Sequence, residues 1–346
     1  MRRYVPTTLG CGLLGKPEIT LALLLVAALL SLDAHVTCAQ NEPAHAAFVT
    51  SISDVAGHGP AEQGNVPAAK EEEHGLPNYA VEIARPFGFP ITNSMFVSWI
   101  VAVGLLIFAR IATRDMQNVP GPAQNLFEWL VASLYEFLEK IIGPHLVKRT
   151  FWFLATIFIF ILCTNWVGLI PGVGTIGWGH QTPEGFVVDQ PLFRGANADL
   201  NLTFAMAVVF FACWIVWSLQ EVGPVGFLKE LFAPKGESTG PMKVLMIAVF
   251  FAAGCLEIIS ILFRPISLSF RLYGNIFAGE NLLETMSRMI PALGWLLPIP
   301  FYFMEVLVGF VQALVFMLLC AVFTLLMCVH EEAGSARGHG GGVSET

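Results

Sequence analysis

Apolar runs long enough to cross about 30 Å of hydrocarbon fall near 92–111, 151–171, 201–220, 244–263 and 299–328. A sixth segment, 123–142, has helical rather than continuous hydrophobicity. Leu126, Leu130, Leu134, Leu138 and Ile141 form one stripe, while Asn125, Glu128, Glu136 and Glu139 turn elsewhere. It starts after Pro120-Gly121-Pro122 and ends at Gly143-Pro144, which predicts an amphipathic helix lying flat on a membrane surface. A soluble connector helix is the alternative. From Lys243 to about Arg288 there is no polar break long enough for a loop. As one straight helix that run would be roughly 65–70 Å long, about twice what a crossing needs. It either makes a tight hairpin near Phe263-Arg264-Pro265 or crosses once, steeply tilted and kinked at Pro265. The final run is also long, so the last two helices are expected as a tilted hairpin lying along a partner. The expected fold is an all-α polytopic membrane protein with about five crossing segments plus an amphipathic surface helix.

Composition agrees. Of 346 residues, 55% are hydrophobic and 13% charged, against roughly 25% charged in soluble domains; the mean hydropathy is +0.68. The net charge of -8 is no nucleic-acid footprint, because the acids concentrate in a few aqueous segments. Residues 1–39 resemble a cleavable signal peptide: Arg2, Arg3 and Lys16 precede an apolar run, and Thr37-Cys38-Ala39 is a small-residue exit. An uncleaved anchor helix is the alternative. Residues 40–90 are expected as an extracytoplasmic segment, 91–330 as the membrane domain and 331–346 as a cytoplasmic tail. Basic residues orient the spans. Arg110, Arg114, Lys140, Lys148 and Arg149 lie between or at the ends of the first two, and Lys229, Lys235 and Lys243 between the third and fourth. Those loops are therefore expected in the cytoplasm. The loop 172–200, with Glu184, Asp189, Asp199 and only Arg194, is expected outside, together with the mature N-terminus. The eight His are scattered and the seven Cys fall mostly in apolar runs, with no ligand spacing, so no metal or other cofactor is expected.

Candidate chemistry lies inside the spans. The run from Arg264 to Asn281 holds Arg271, Asn275 and Glu280 within apolar sequence. A guanidinium keeps its charge at any relevant pH, and placing it in hydrocarbon costs about 3 kcal/mol on insertion scales. On a helix Ser267, Arg271, Gly274 and Ala278 share one face, small and flat apart from its single cation. A neighbouring helix could approach closely and pass the charge. Glu280 faces the other way, while Glu257, fourteen residues before Arg271, is expected toward its side. Glu305 and Gln312 share a face of the last helix. Bland readings stand beside these: Asn165 and Gln312 as helix-packing hydrogen bonders, Glu257 or Glu284 reaching for an interface, and Arg271 with Glu280 and Glu305 as a buried ion-pair network. Carboxylates inside a membrane load and unload protons near neutrality. Separated by a cation that cannot, they describe two proton half-paths with a barrier between them.

The run Pro265-Ile-Ser-Leu-Ser-Phe-Arg271-Leu-Tyr-Gly-Asn275-Ile-Phe-Ala-Gly-Glu280 resembles the signature of subunit a of F-type ATP synthases. The similarity extends through Asn93-Ser-Met-Phe, Asn201-Leu-Thr, Glu257 and Gln312-Ala, over roughly 90–330. It implies that Arg271 faces the carboxylates of a rotating c-ring, and that Asn275, Glu280, Glu257 and Gln312 line two half-channels. Many bacterial members have His where this chain has Glu305, and members with Glu there often have His at the Glu280 position. This chain has acids at both. The resemblance also implies the c-ring and the peripheral-stalk b subunits as partners, a bacterial inner-membrane location and a non-catalytic role. No phosphate loop occurs, so no nucleotide is expected to bind. A self-contained secondary transporter is the main alternative and would predict internal repeats, which the sequence lacks. An intramembrane hydrolase is weaker: Gly236-Glu-Ser-Thr-Gly240 spells a nucleophile motif, but in a short loop between prolines.

Overall fold

The computed structural model describes residues 82–84, 91–114, 116–117, 119–170, 172, 176–182, 185–232, 241–289 and 294–338. The expected signal peptide lies outside the described residues, as does almost all of the segment 40–90. Among the described residues five helices follow in order: α1 (Asn93–Arg114), α2 (Pro122–Gly168), α3 (Leu200–Phe232), α4 (Pro241–Met289) and α5 (Ile299–Gly338). All five are long and apolar enough to cross a membrane. Short antiparallel pairs, absent from the expected fold, cap one end. β1 (Glu82–Ala84) meets β2 (Ile91–Thr92), and β3 (Gly177–Thr182) meets β4 (Gly185–Pro191). A 3-10 turn, Ala196–Ala198, leads from this hairpin into α3.

The amphipathic segment and the second span are joined into α2, which breaks at Gly143 with φ 81° and ψ 164°. α3 breaks the same way at Gly223, with φ 74° and ψ 160°. Both glycines precede a proline, Pro144 or Pro224. A following proline drives ψ into the extended range, and positive φ at that ψ is open essentially to glycine alone. Two Gly-Pro pairs therefore set two bends. Gly143→Ala is expected to destabilise the chain by about 1–3 kcal/mol, the cost of a side chain in that region, although an added Cβ would meet nothing. A detergent melting midpoint unchanged from wild type would remove this account of the bend.

Before the bend, Leu134 and Leu138 are buried as the stripe requires, and Leu130 and Ile141 pack against the core. Leu126 departs from the expectation and is 53% exposed. The buried stripe drifts instead through Val131, Tyr135 and Ile142, because a straight 3.6-residue helix does not keep one face in register over five turns.

α4 runs unbroken for 49 residues through Pro265, so the alternative of a tight hairpin near Phe263 does not hold. Ser269 lies in the following turn and donates its hydroxyl to the Pro265 carbonyl (2.8 Å) and reaches the Thr203 carbonyl of α3 (3.3 Å). α4 and α5 pack as an antiparallel pair, with Gly279 against Glu305 near one end and Arg264 over Phe323 near the other. α5 continues past residue 330, beyond the expected boundary of the membrane domain. The core sits around α2, where Phe153, Phe160, Leu154 and Ile157 are fully buried and ring edges of Trp152 and Phe153 meet Trp217 of α3. At the end away from the strands, Arg149 pairs with Glu221 and Gln220, tying α2 to α3.

Candidate functional site

α4 buries one stripe and leaves the other bare. Ile261, Pro265, Leu268, Leu272, Ile276 and Leu283 face the bundle at helical spacing. Opposite them Ser267, Phe270, Arg271, Asn275, Ala278 and Leu282 are exposed. Only 11% of the most apolar stretch of α4 is buried, against 61% for α2. Among the described residues Arg271 makes no ion pair or hydrogen bond. An added Cβ on Gly274 would meet nothing within 4 Å, so this face is flat as well as open. The expected grouping of Ser267, Arg271, Gly274 and Ala278 is therefore realised on one uncovered surface.

Glu280 is on the opposite side and belongs to a different cluster. Its carboxylate lies 3.8 Å from the guanidinium of Arg194, an ion-pair distance rather than a hydrogen bond. Arg194 is 4% exposed, and its guanidinium also lies 5.8 Å from the centre of the Phe277 ring. The Gly195 N–H donates to Glu280. A Cβ on Gly195 would overlap that carboxylate, so only glycine leaves room for it. Glu305, on α5, is buried, and its carboxylate fills the space where a Cβ on Gly279 would stand. Glu280, set against the loop before α3, and Glu305, between α4 and α5, are near enough for their charges to interact. A buried ion pair exists, but its cation is Arg194; the alternative that Arg271 supplies it is overturned.

Polar residues of the other helices brace this cluster. Asn197, in the 3-10 turn, donates to Thr164 Oγ1 (2.7 Å) and Asn165 Oδ1 (2.6 Å) of α2. Asn165 passes the chain on to the Gly309 carbonyl of α5 (2.9 Å), which makes it the helix-packing hydrogen bonder that one reading anticipated. A Cβ on Gly309 would stand 3.1 Å from the Asn165 Cβ, so the two helices meet closely there. Asp199 accepts from the Ser94 hydroxyl of α1 (2.6 Å) and the Asn201 N–H (3.0 Å). Burial pushes the Asp199 carboxyl up from its ordinary value, while Ser94, the Asn201 N–H and the Arg194 charge pull it down.

The remaining expected residues separate. Glu257 is 49% exposed and pairs with Arg264 (2.9 Å), not with Arg271. Arg264 is held between aromatic rings, 5.7 Å from Trp214 and 4.7 Å from Phe323. Gln312 is partly buried on α5, on the Glu305 side. Sequence reasoning missed Arg194, Asp199 and Asn197. It read the first two as charges of an aqueous loop, whereas both are buried. The available signal was local: Arg194-Gly-Ala-Asn-Ala-Asp199 places two opposite charges and an amide among small residues directly before a span.

The fold and these groups define a multi-pass membrane protein whose described residues include an unpaired cation on an open helix face and, inside the bundle, an acid pair with a cation. The family model of the ATP synthase A chain matches residues 95–324. The sodium ion specific ATP synthase subunit a of Propionigenium modestum is 30% identical over 67% of this chain and 72% of its own length. ATP synthase subunit a of Citrifermentans bemidjiense is 31% identical over 67% of this chain and 86% of its own. That of Trichlorobacter lovleyi is 34% identical over 62% and 78%. The chain belongs to the ATP synthase subunit a family, and so to the membrane machinery that couples ion transport to ATP synthesis.

Proposed function

We propose that this chain is the stator channel subunit of a rotary F-type ATP synthase, with Arg271 separating two proton half-paths to and from the carboxylates of a c-ring. The observation that carries this is Arg271 itself, a permanent charge on the barest helix of the bundle, with no ion pair or hydrogen bond among the described residues. Lipid cannot face such a group without a cost of about 3 kcal/mol or more, whereas a passing carboxylate offsets it. On this reading the cluster of Glu280, Glu305, Asn165 and Asn197 with Gln312 lies on the outer path. Glu257, Ser267 and Asn275 accompany Arg271 on the side that leads to the cytoplasm. The mature N-terminus is extracytoplasmic, the C-terminus cytoplasmic, and the membrane the bacterial inner membrane. The subunit is non-catalytic, binds no nucleotide, and meets the peripheral-stalk b subunits elsewhere.

Extraction in mild detergent tests the assignment: a ring of small c subunits is expected to copurify with this chain. An isolated chain that transports ions on its own would establish the secondary transporter instead. The flat face adds a sharper test. Gly274→Leu and Ala278→Leu are expected to leave assembly intact, because the Gly274 position is open within the chain and Ala278 is exposed. Each is expected to lower ATP-driven pumping severalfold by obstructing the ring. Undiminished pumping with both bulky side chains would mean that nothing slides past this face.

A further inference from the structure

Glu280 and Glu305 are neighbouring acids whose charges interact, yet their surroundings differ. Glu280 has a buried guanidinium and a backbone N–H directed at it; Glu305 has Gly279 beneath it and, among the described residues, no ion pair. The Arg194 cation comes from the short loop before α3, held in place by the turn whose Asn197 bonds to α2 and whose Asp199 bonds to α1. We infer that Arg194 is a positioning residue for proton transfer, setting the place and the proton affinity of Glu280 so that the two acids of this path work at different pH. The inference rests on the proposed proton path and adds a second functional arginine, outside α4.

The charge balance around Glu280 supports this. Arg194 faces it from the loop, with Asp199 behind at the head of α3. Glu305 faces it from α5, and Tyr273 and Glu284 lie on α4 itself. α2 contributes the neutral Thr164 and Asn165. Arg194 is thus the single cation among several acids here, within the described residues. An opposite charge within about 4–6 Å favours the ionised carboxylate by roughly 1–3 pH units. Removing it makes Glu280 hold its proton to higher pH and slows proton release.

The test uses inverted membrane vesicles carrying the whole synthase. ATP-driven proton pumping is followed against pH for wild type, Arg194→Gln, Arg194→Lys, Glu280→Gln and the double variant Arg194→Gln/Glu280→Gln. Arg194→Gln is expected to move the profile to higher pH by about one unit or more, and Arg194→Lys to restore most of the wild-type position. In the Glu280→Gln background the Arg194 substitution is expected to leave the profile unmoved, because the group it acts through is gone. A purely structural arginine would instead lower pumping at every pH, in both backgrounds alike. That result, or an unshifted profile for Arg194→Gln, overturns the inference. Should Arg194→Gln fail to accumulate, Gly195→Ala displaces the same carboxylate without touching the guanidinium and is expected to shift the profile in the same direction; no shift there also overturns it. Failure of the path itself is separate: it would appear as pumping indifferent to Glu280→Gln alone.

Discussion

Arg271→Ala is expected to abolish coupled proton transport while the complex still assembles. The side chain is exposed, makes no ion pair within the described residues, and packs nothing that the bundle needs. Its removal therefore withdraws a charge from a partner rather than a contact from this fold. Arg271→Lys is also expected to fail. A lysine can lose its proton when desolvated, and its point charge lacks the planar fork with which guanidinium meets a carboxylate. The measurement is ATP synthesis in energised membranes, with the amount of assembled complex as the control. Synthesis near the wild-type rate in the lysine variant would defeat the account. So would loss of assembly in the alanine variant, since that would make Arg271 a structural residue.

Glu280 and Glu305 are expected to act as one coupled pair. Two carboxylates close together in a poorly solvated place resist double ionisation, and the resulting titration belongs to the pair rather than to either residue. Glu280→Gln or Glu305→Gln alone is expected to lower proton flux about tenfold, equivalent to ~1.4 kcal/mol on a barrier. Each is also expected to shift its pH dependence toward lower pH. The sign follows from the lost neighbour: without a like charge beside it, the remaining acid ionises more readily. This is opposite in direction to the shift expected from Arg194→Gln, so the two effects are distinguishable on one axis. Loss of both acids is expected to stop transport almost entirely. Glu305→His is expected to keep activity, since imidazole titrates near neutrality. Passive and ATP-driven flux in vesicles across pH checks the series. Strictly additive single effects with no change of profile would show that the two acids do not share a path.

The spans, the over-long last two helices and the composition of the Arg271 face were all legible in the sequence. Each depends on local spacing: hydrophobic run length sets a crossing, and helical periodicity places Ser267, Arg271, Gly274 and Ala278 together. The break at Gly143-Pro144 was legible for the same reason, since the pair constrains its own dihedrals; the matching break at Gly223-Pro224 emerges only in the structure. Periodicity also put Glu280 opposite Arg271, and the structure keeps them apart. Partner choice was not legible. Nothing near Glu280 in the chain announces Arg194, which lies in the loop before α3 and is brought to it only when that turn tucks between α2 and α4. Glu257 was expected toward the Arg271 side of α4 from spacing alone; the charge it pairs with is Arg264, seven residues on along the same helix and held by two aromatic rings from α3 and α5. Helical spacing determines which way a side chain points. Which charge answers it depends on burial between elements distant in sequence, where desolvation makes an unpaired ion costly and packing decides which counter-charge is within reach.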